Sequence, residues 1–543
     1  MHIDSIETFE ALQDVRDAWG VVYAMDPEAN FFLTYQWLDD WLKFSPGAWF
    51  VLAVKETAES PDYIAFLPLR VRAKFDKKVG LYNELLLAGS YFSDYTGLLC
   101  RPEVEEEVLP ALAAHIKRNL HWAEFKLECL MMSDRRRKLF LKTFGKRRFV
   151  HKPISYVQNR TQLDNGICPA ADLPESWDDY LALLSSNNRQ KIRRLLKKVD
   201  NSDQYRITIV EGEDQFEMID TLLAQWRVKW SQVKGERTDE IVMLNRGMLQ
   251  RSARAGNLFM PVFWDGDRPV AILATLIDEC KRSLHFLITG RDESFSELPS
   301  GYLLHAFSIR HAIAHGFRIY DFLRGNEPYK YHFATREAHM HACEMRTNDG
   351  RNCNDGLDPR CLETMVDMAN GFDDKGEHAD AGMAFRQILD TAPGHALVLY
   401  RLGRMLARKG DFEAAVPWLT RSVEAEPGGN NAWKWLARSH QALGDLKRAL
   451  AAWSKVAELQ PNDEEASRLV KELQLTIAES SNISVSNTPR TGLPGLTAAP
   501  ALPQISVSDK PFMPAKPFLL VPGTSDASPD GRPAPSLARI RGS

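Results

Sequence analysis

The chain repeats itself every 34 residues between about residues 360 and 478. Pro393, Pro427 and Pro461 stand 34 apart, and so do Gly376, Gly410 and Gly444. Met368, Leu402 and Leu436 keep the same step, as do Ala381, Ala415 and Ala449, and Phe385, Leu419 and Trp453. A period of this length with glycine in the middle and proline near the end predicts two helices and two turns per unit. The small alanine lets paired helices approach, and the bulky residue four positions later fills the groove between them. No single unit can bury its apolar side alone, so three copies in register make a stacked array. A further helix over Glu464 to Ala478 is placed to close the open end. Such arrays offer a concave surface to a peptide or protein partner.

The repeat resembles the tetratricopeptide repeat, which implies a protein or peptide partner in the groove. The segment 479–543 that follows is rich in Ser, Pro, Thr, Gly and Ala and is expected to be disordered, for want of apolar surface to bury. Its stretch around Pro511 to Pro522 is either a docking peptide or linker. Composition shifts near residue 355, so fragments 1–355 and 356–478 are expected to fold separately.

The remaining chain is large enough for further domains: 543 residues, 44 % of them apolar. A formal net charge of −4 argues against a dedicated nucleic-acid binder. No apolar run approaches the length of a membrane span. The N-terminus carries acids and no apolar segment, which is not the pattern of a secretory signal. Cysteines at 100, 129, 168, 280, 343, 353 and 361 form no CxxC pair and match no standard zinc module, so reduced thiols in a cytoplasmic protein are expected and no metal.

Residues 1–350 read as two halves of one plan. In the first, strands over Trp49 to Lys55, Tyr63 to Arg72 and Leu85 to Ala88 precede a loop with Ser93, Asp94 and Tyr95. A helix from Pro102 to Asn119 and a strand over Phe125 to Leu130 follow. In the second, strands over Asn257 to Trp264 and Pro269 to Asp278 flank an Asp265-Gly266-Asp267 turn. A strand over Ser283 to Thr289, a helix from Ser300 closed by Gly316, and a strand over Phe317 to Phe322 complete it. At the end of that last strand Asp321, Arg324, Glu327, Tyr329 and Lys330 crowd together, where a sheet can hold polar groups still. A solvated loop with local ion pairs is the plainer reading. His285, His305, His311 and His315 lie nearby, spaced for packing or exposure.

Pro299, Ser300, Gly301, Leu303, Leu304, Asp321, Phe322, Gly325, Tyr329 and Lys330 resemble the closing motif of the CelD/BioF2-like acyltransferases. These are a branch of the GNAT superfamily related to the FemAB peptidyltransferases. Phe31, Phe32, Leu33, Trp37, Leu38 and Trp41, then Ser93, Asp94 and Tyr95, then Asn187, Asn188, Arg189, Lys191, Arg193 and Arg194 match further elements of that pattern in order. The resemblance spans roughly residues 25 to 345. It implies tandem α/β GNAT-like domains, 1–165 and 166–350, ahead of the repeats at 360–478. It also implies transfer of an acyl group from acetyl-CoA or another acyl-CoA to an amine or hydroxyl, with relatives acting in exopolysaccharide, cellulose or envelope synthesis.

On that implication Asp321 or Glu327 takes the proton, with Asp94 an alternative base, and Tyr329 protonates the thiolate. Lys330 and Arg324 fix an anionic group, and Tyr95 and Asn188 help hold the acceptor. The donor's pyrophosphate falls to the helix start at Ser300, Gly301 and Tyr302, because orphan N–H groups and the helix dipole attract anions there. The other half's helix opens with Glu103, Glu105, Glu106 and Glu107, which repel one. The full glycine-rich loop of typical GNAT enzymes is absent, which keeps an aminoacyl-tRNA donor and a non-catalytic adaptor open. The amphipathic helix bearing Arg189, Lys191, Arg193, Arg194, Lys197 and Lys198 reads either as a solvated face or as a phosphate cradle. The cluster Arg135, Arg136, Arg137, Lys138, Lys146, Arg147 and Arg148 reads as solvated.

Overall fold

The computed structural model describes residues 1–44, 47–90, 93–158 and 161–483. The tail reading at Pro511 to Pro522 lies outside them.

Alternating apolar residues in the first half give a sheet of order His2–Ile6, Ala48–Lys55, Ala65–Asp76, Gly80–Leu87, Glu124–Leu130, His341–Thr347, Phe149–Pro153, with Leu99–Cys100 paired to the third strand. The second sheet runs Tyr205–Ile209, Pro261–Asp265, Arg268–Asp278, Ser283–Arg291, Ile319–Asp321, Ile167–Asp172, Arg336–His339, with Leu258–Phe259 at its side. Each sheet holds one parallel strand pair, Gly80–Leu87 with Glu124–Leu130 and Ser283–Arg291 with Ile319–Asp321. A helix crosses over within each: Glu105–Asn119 and Ser300–Ala314. The two halves thus share a plan, as their sequence order predicts.

One strand crosses between the halves. Ile167–Asp172 opens the second half and pairs with Ile319–Asp321 of the same half. His341–Thr347, at the end of the second half, returns to pair with Glu124–Leu130 of the first. Sequence order alone carried no sign of this, because that strand is short and lies where a domain boundary was expected. Two helices that the sequence reading did not place, Asp214–Lys234 and Thr238–Arg254, cover one face of the second sheet through Ile219, Leu222 and Leu249.

The repeats are helix pairs: Leu362–Asp374 with His378–Thr391, Ala396–Arg408 with Phe412–Ala425, and Asn430–Ala442 with Leu446–Leu459, followed by Glu464–Ile483. Gly376, Gly410 and Gly444 take φ of +79°, +84° and +75°, left-handed turns that exact glycine at one position per repeat. Ala381, Ala415 and Ala449 are fully buried, as are Phe385, Leu419 and Trp453.

The first repeat is not a free-standing module. Met365, Val366, Phe385 and Ile388 share one core with Leu85 and Phe125 of the first sheet and Val108, Leu112 and Ile116 of its helix. Gln387 accepts from Leu81 N at 2.8 Å and donates to Val79 O at 3.0 Å. Asn352 and Asn83 bond each other twice, at 2.8 and 3.0 Å. Residues Met1–Ile477 form one unit. Fragments cut near 355, expected from composition to fold separately, would open that common core to water.

Candidate functional site

In the second half's parallel pair, His285 stands opposite Asp321. The long strand continues to Arg291 while its partner ends at Asp321, so the chain turns away there. Leu284, Phe286, Tyr320 and Phe322 pack under the Ser300–Ala314 helix. By alternation Asp321 and His285 face the other way, toward Phe31, Phe32 and Tyr95 of the first half. Tyr95 donates to both Asp321 carboxylate oxygens, at 3.0 and 3.1 Å. Leu323 N donates to Asp321 Oδ1 at 2.7 Å, so Asp321 does cap its turn while also reaching across to the first half. His285 Nδ1 lies 3.5 Å from Asp321 Oδ2, and its Nε2 is 2.9 Å from Ser283 Oγ. The sequence reading left His285 to packing; only the strand register brings it to the carboxylate.

Two non-glycine residues here hold left-handed backbone, Leu323 (φ +57°) and Cys129 (φ +55°). They follow or lie in corresponding strands of the two halves. Strain of about 1–3 kcal/mol per residue persists only where the surroundings impose it. Gly325 (φ +100°) adds a third departure: a Cβ there would sit 2.6 Å from Glu327 Oε2. Lys330 is 2 % exposed and donates to Arg324 O at 2.6 Å and Gly325 O at 3.0 Å, while pairing with Glu327 at 2.9 Å. Two of its three hydrogens go to carbonyls and its charge is paired with Glu327, so Lys330 staples the loop. Glu327 is held in the same staple.

Arg324 differs. Its guanidinium lies over the Tyr156 ring at 5.0 Å and touches Cys129 Sγ at 3.5 Å, and its Nε has no partner among the described residues. Burial works against its charge, but Cys129 and Asp94 hold its pKa above the ordinary value. Asp94 is half-buried beside it. Burial pushes the Asp94 carboxyl up, with Arg324 and Lys330 pulling the other way.

On the other face, the Ser300–Ala314 helix starts with no side-chain cap. A Cβ on Gly301 would meet nothing within 4 Å. Tyr302 has a buried hydroxyl without a hydrogen-bond partner among the described residues, its pKa pushed up to about 12 by burial, and Lys191 Nζ sits 4.2 Å from its ring centre. Tyr329 stacks on His305 at 5.8 Å; burial first, then Glu327, raise its hydroxyl above the ordinary range. His305 is buried and bonds Tyr320 through Nδ1 at 3.0 Å.

The basic helix contributes unequally. Asn188 donates to His332 O at 3.3 Å and Arg189 to Leu184 O at 3.3 Å. Arg193 is spent on Asp178 at 2.9 Å at an exposed position, and Lys191 is the residue that reaches Tyr302. Arg136 corrects the reading of its cluster as solvated: it is 1 % exposed and forks onto Asp26 at 2.7 and 2.9 Å, with Glu105 at 2.8 Å. Glu105, at the first half's helix start, is thereby committed to structure.

A model described as an acetyltransferase (GNAT) domain matches residues 186–331. Two tetratricopeptide-repeat models match 366–430 and 406–473. TPR repeat-containing protein PA0015 of Pseudomonas aeruginosa is 39 % identical over 69 residues, 13 % of this chain and 66 % of the relative. The chain therefore spans just under two thirds of that relative's length. The first TPR domain of human RPAP3 is 19 % identical, with 22 % of this chain and 95 % of that chain covered at a TM-score of 0.21. MamA from Desulfovibrio magneticus RS-1 is 20 % identical, with 23 % and 70 % covered at a TM-score of 0.21. No described helix is long and apolar enough to cross a membrane. The chain carries a GNAT-type acetyltransferase domain followed by tetratricopeptide repeats.

Proposed function

We propose that the chain is an acyltransferase that moves an acyl group from acyl-CoA, the co-substrate of GNAT domains, to an amine or hydroxyl. The observation that carries this reading is the two-sided strand pair: an uncapped helix start on one face and Asp94, Tyr95 and Asp321 on the other. Ser300, Gly301 and Tyr302 would take a pyrophosphate on the backbone N–H groups of the uncapped helix start, with Lys191 beside them at Tyr302 and Arg189 on the same helix as Lys191; a Cβ on Gly301 would meet nothing within 4 Å. The acceptor enters between the halves. Its lone pair attacks the thioester carbonyl carbon and its proton passes to Asp94, whose raised proton affinity suits a base. Asp321, held by Tyr95 and the Leu323 amide, orients the acceptor. The carbon–sulfur bond breaks and Tyr329 gives its proton to the thiolate. Arg324, with no carboxylate bound to it, takes an anionic group on the acceptor.

The resemblance to CelD/BioF2-like and FemAB-related transferases supports a sugar or envelope-polymer precursor as acceptor, in the cytoplasm where acyl-CoA is made. The repeats bring a protein or peptide partner, such as polysaccharide-synthesis machinery, to the site. The test supplies full-length protein with acetyl-CoA, longer acyl-CoAs or aminoacyl-tRNA, and a panel of amino sugars, amines and hydroxyl acceptors, reading products by mass spectrometry. Acyl-CoA-dependent products support the reading. Products from aminoacyl-tRNA alone identify a FemAB-like aminoacyl transferase instead, and no product from any donor identifies an adaptor.

A further inference from the structure

A cavity of about 260 Å³ lies between Tyr35–Phe44 of the first half and Thr238–Arg254 of the second. Trp37, Trp41, Phe44, Met243, Leu244 and Met248 give it apolar walls, and Asp40 and Arg251 stand among them. Two of its donors are unspent. The Trp41 side chain is 5 % exposed, and its indole N–H is buried with no partner among the described residues. The Arg251 guanidinium lies over the Phe44 ring at 4.3 Å and makes no hydrogen bond or ion pair among the described residues. Burial pushes its pKa down, with Asp40 pulling it back up. An arginine half-withdrawn from water without an anion is an unusual expense for a fold unless an anion arrives. Asp40 is too far for an ion pair with it and accepts from Gln36 instead, at 3.3 Å.

The walls continue to the surface. Phe44 is 65 % and Met243 58 % exposed, so the mouth of the cavity is apolar as well. Charge and shape together select an occupant: an apolar body for the aromatic and methionine walls, and one carboxylate for the guanidinium. An apolar cavity of about 150 Å³ holds benzene, so this one has room for a longer aliphatic or aromatic body. Its inner wall borders the proposed acceptor side. Trp37 donates from its indole to Ser93 Oγ at 2.7 Å, next to Asp94, and packs against Phe31 and Phe32.

We infer that this cavity binds an amphipathic monocarboxylate, with its apolar body between Trp37, Trp41 and Met248 and its carboxylate on Arg251. The site is separate from the donor and acceptor positions above, so binding is read without transfer. The experiment titrates full-length protein with octanoate, octanol and octylamine by calorimetry. Octanoate is expected to bind at least tenfold more tightly than the other two. Arg251→Gln should bring octanoate down to the level of octanol with the melting temperature nearly kept, because that side chain has no hydrogen bond or ion pair to lose among the described residues, only its contact with the Phe44 ring. Gly247→Leu, which puts a side chain into the cavity where only the end of Arg251 must shift, should abolish binding of octanoate and octanol alike. Failure of octanoate to bind, preference for octylamine, or unchanged octanoate affinity in either variant would each overturn the inference.

Discussion

Lys330 and Arg324 sit six residues apart with opposite fates. Lys330 donates to two backbone carbonyls and pairs its charge with Glu327; Arg324 keeps most of its donors. The sequence showed two cations in one loop but could not divide them, because the division depends on where the carbonyls point after the left-handed residues Leu323 and Gly325. Lys330→Met should therefore cost about 3 kcal/mol of stability, seen as a lower denaturation midpoint, while Arg324→Gln leaves the midpoint in place and raises KM for an anionic acceptor. Asp321→Asn keeps the acceptor atom for Leu323 N and Tyr95, so melting should hardly move, while transfer should fall by about a hundredfold. Equal loss of stability and activity would show that Asp321 only caps the turn. His305 adds a pH effect. Burial depresses its pKa to about 3 from the ordinary 6.5. The neutral ring's contribution is thus fully present above about 6.5 and is lost as pH falls toward 3. Between pH 6.5 and 5 that amounts to about 1.5 kcal/mol, which unfolding curves of wild type and His305→Phe should resolve as a smaller pH slope in the variant.

The repeat helices were the most legible elements, since Gly376, Gly410 and Gly444 each mark a positive-φ turn that only local chain geometry demands. Gly410→Ala, at φ +84° with open space around it, should lower stability by about 1 kcal/mol through backbone strain alone. The Ser300–Ala314 helix was also placed well, from its small-residue start and Gly316 end. Its following strand was overextended: Phe317 and Arg318 make the approach, and only Ile319–Asp321 pairs. Gly301→Glu separates packing from binding at this helix. A Cβ there meets nothing within 4 Å, and a carboxylate at a helix N-terminus is favoured by the dipole. Melting should stay level or rise slightly, while acetyl-CoA affinity falls at least tenfold by calorimetry. Retained affinity would remove the donor from this helix end.

At the scale of the whole molecule, contacts distant in sequence decide the architecture. His341–Thr347 leaves the second half for the first sheet, and the first repeat shares a core with that sheet. Neither was readable from periodicity, because a short strand and an apolar helix face do not name their partners. The same folding-over brings Tyr95 to Asp321, 226 positions away in the chain, and sets the proposed site between the two halves. The most direct test of that joint site is acyl transfer from acetyl-CoA by the full chain, wild type beside Asp94→Asn, followed as acetylated product across pH. The account predicts acetyl-CoA-dependent product in the wild type, with a rate that climbs through a pKa above the ordinary aspartate value, and a loss of about a hundredfold in Asp94→Asn. An Asp94→Asn protein that transfers at the wild-type rate, or a wild type that transfers nothing, would contradict it.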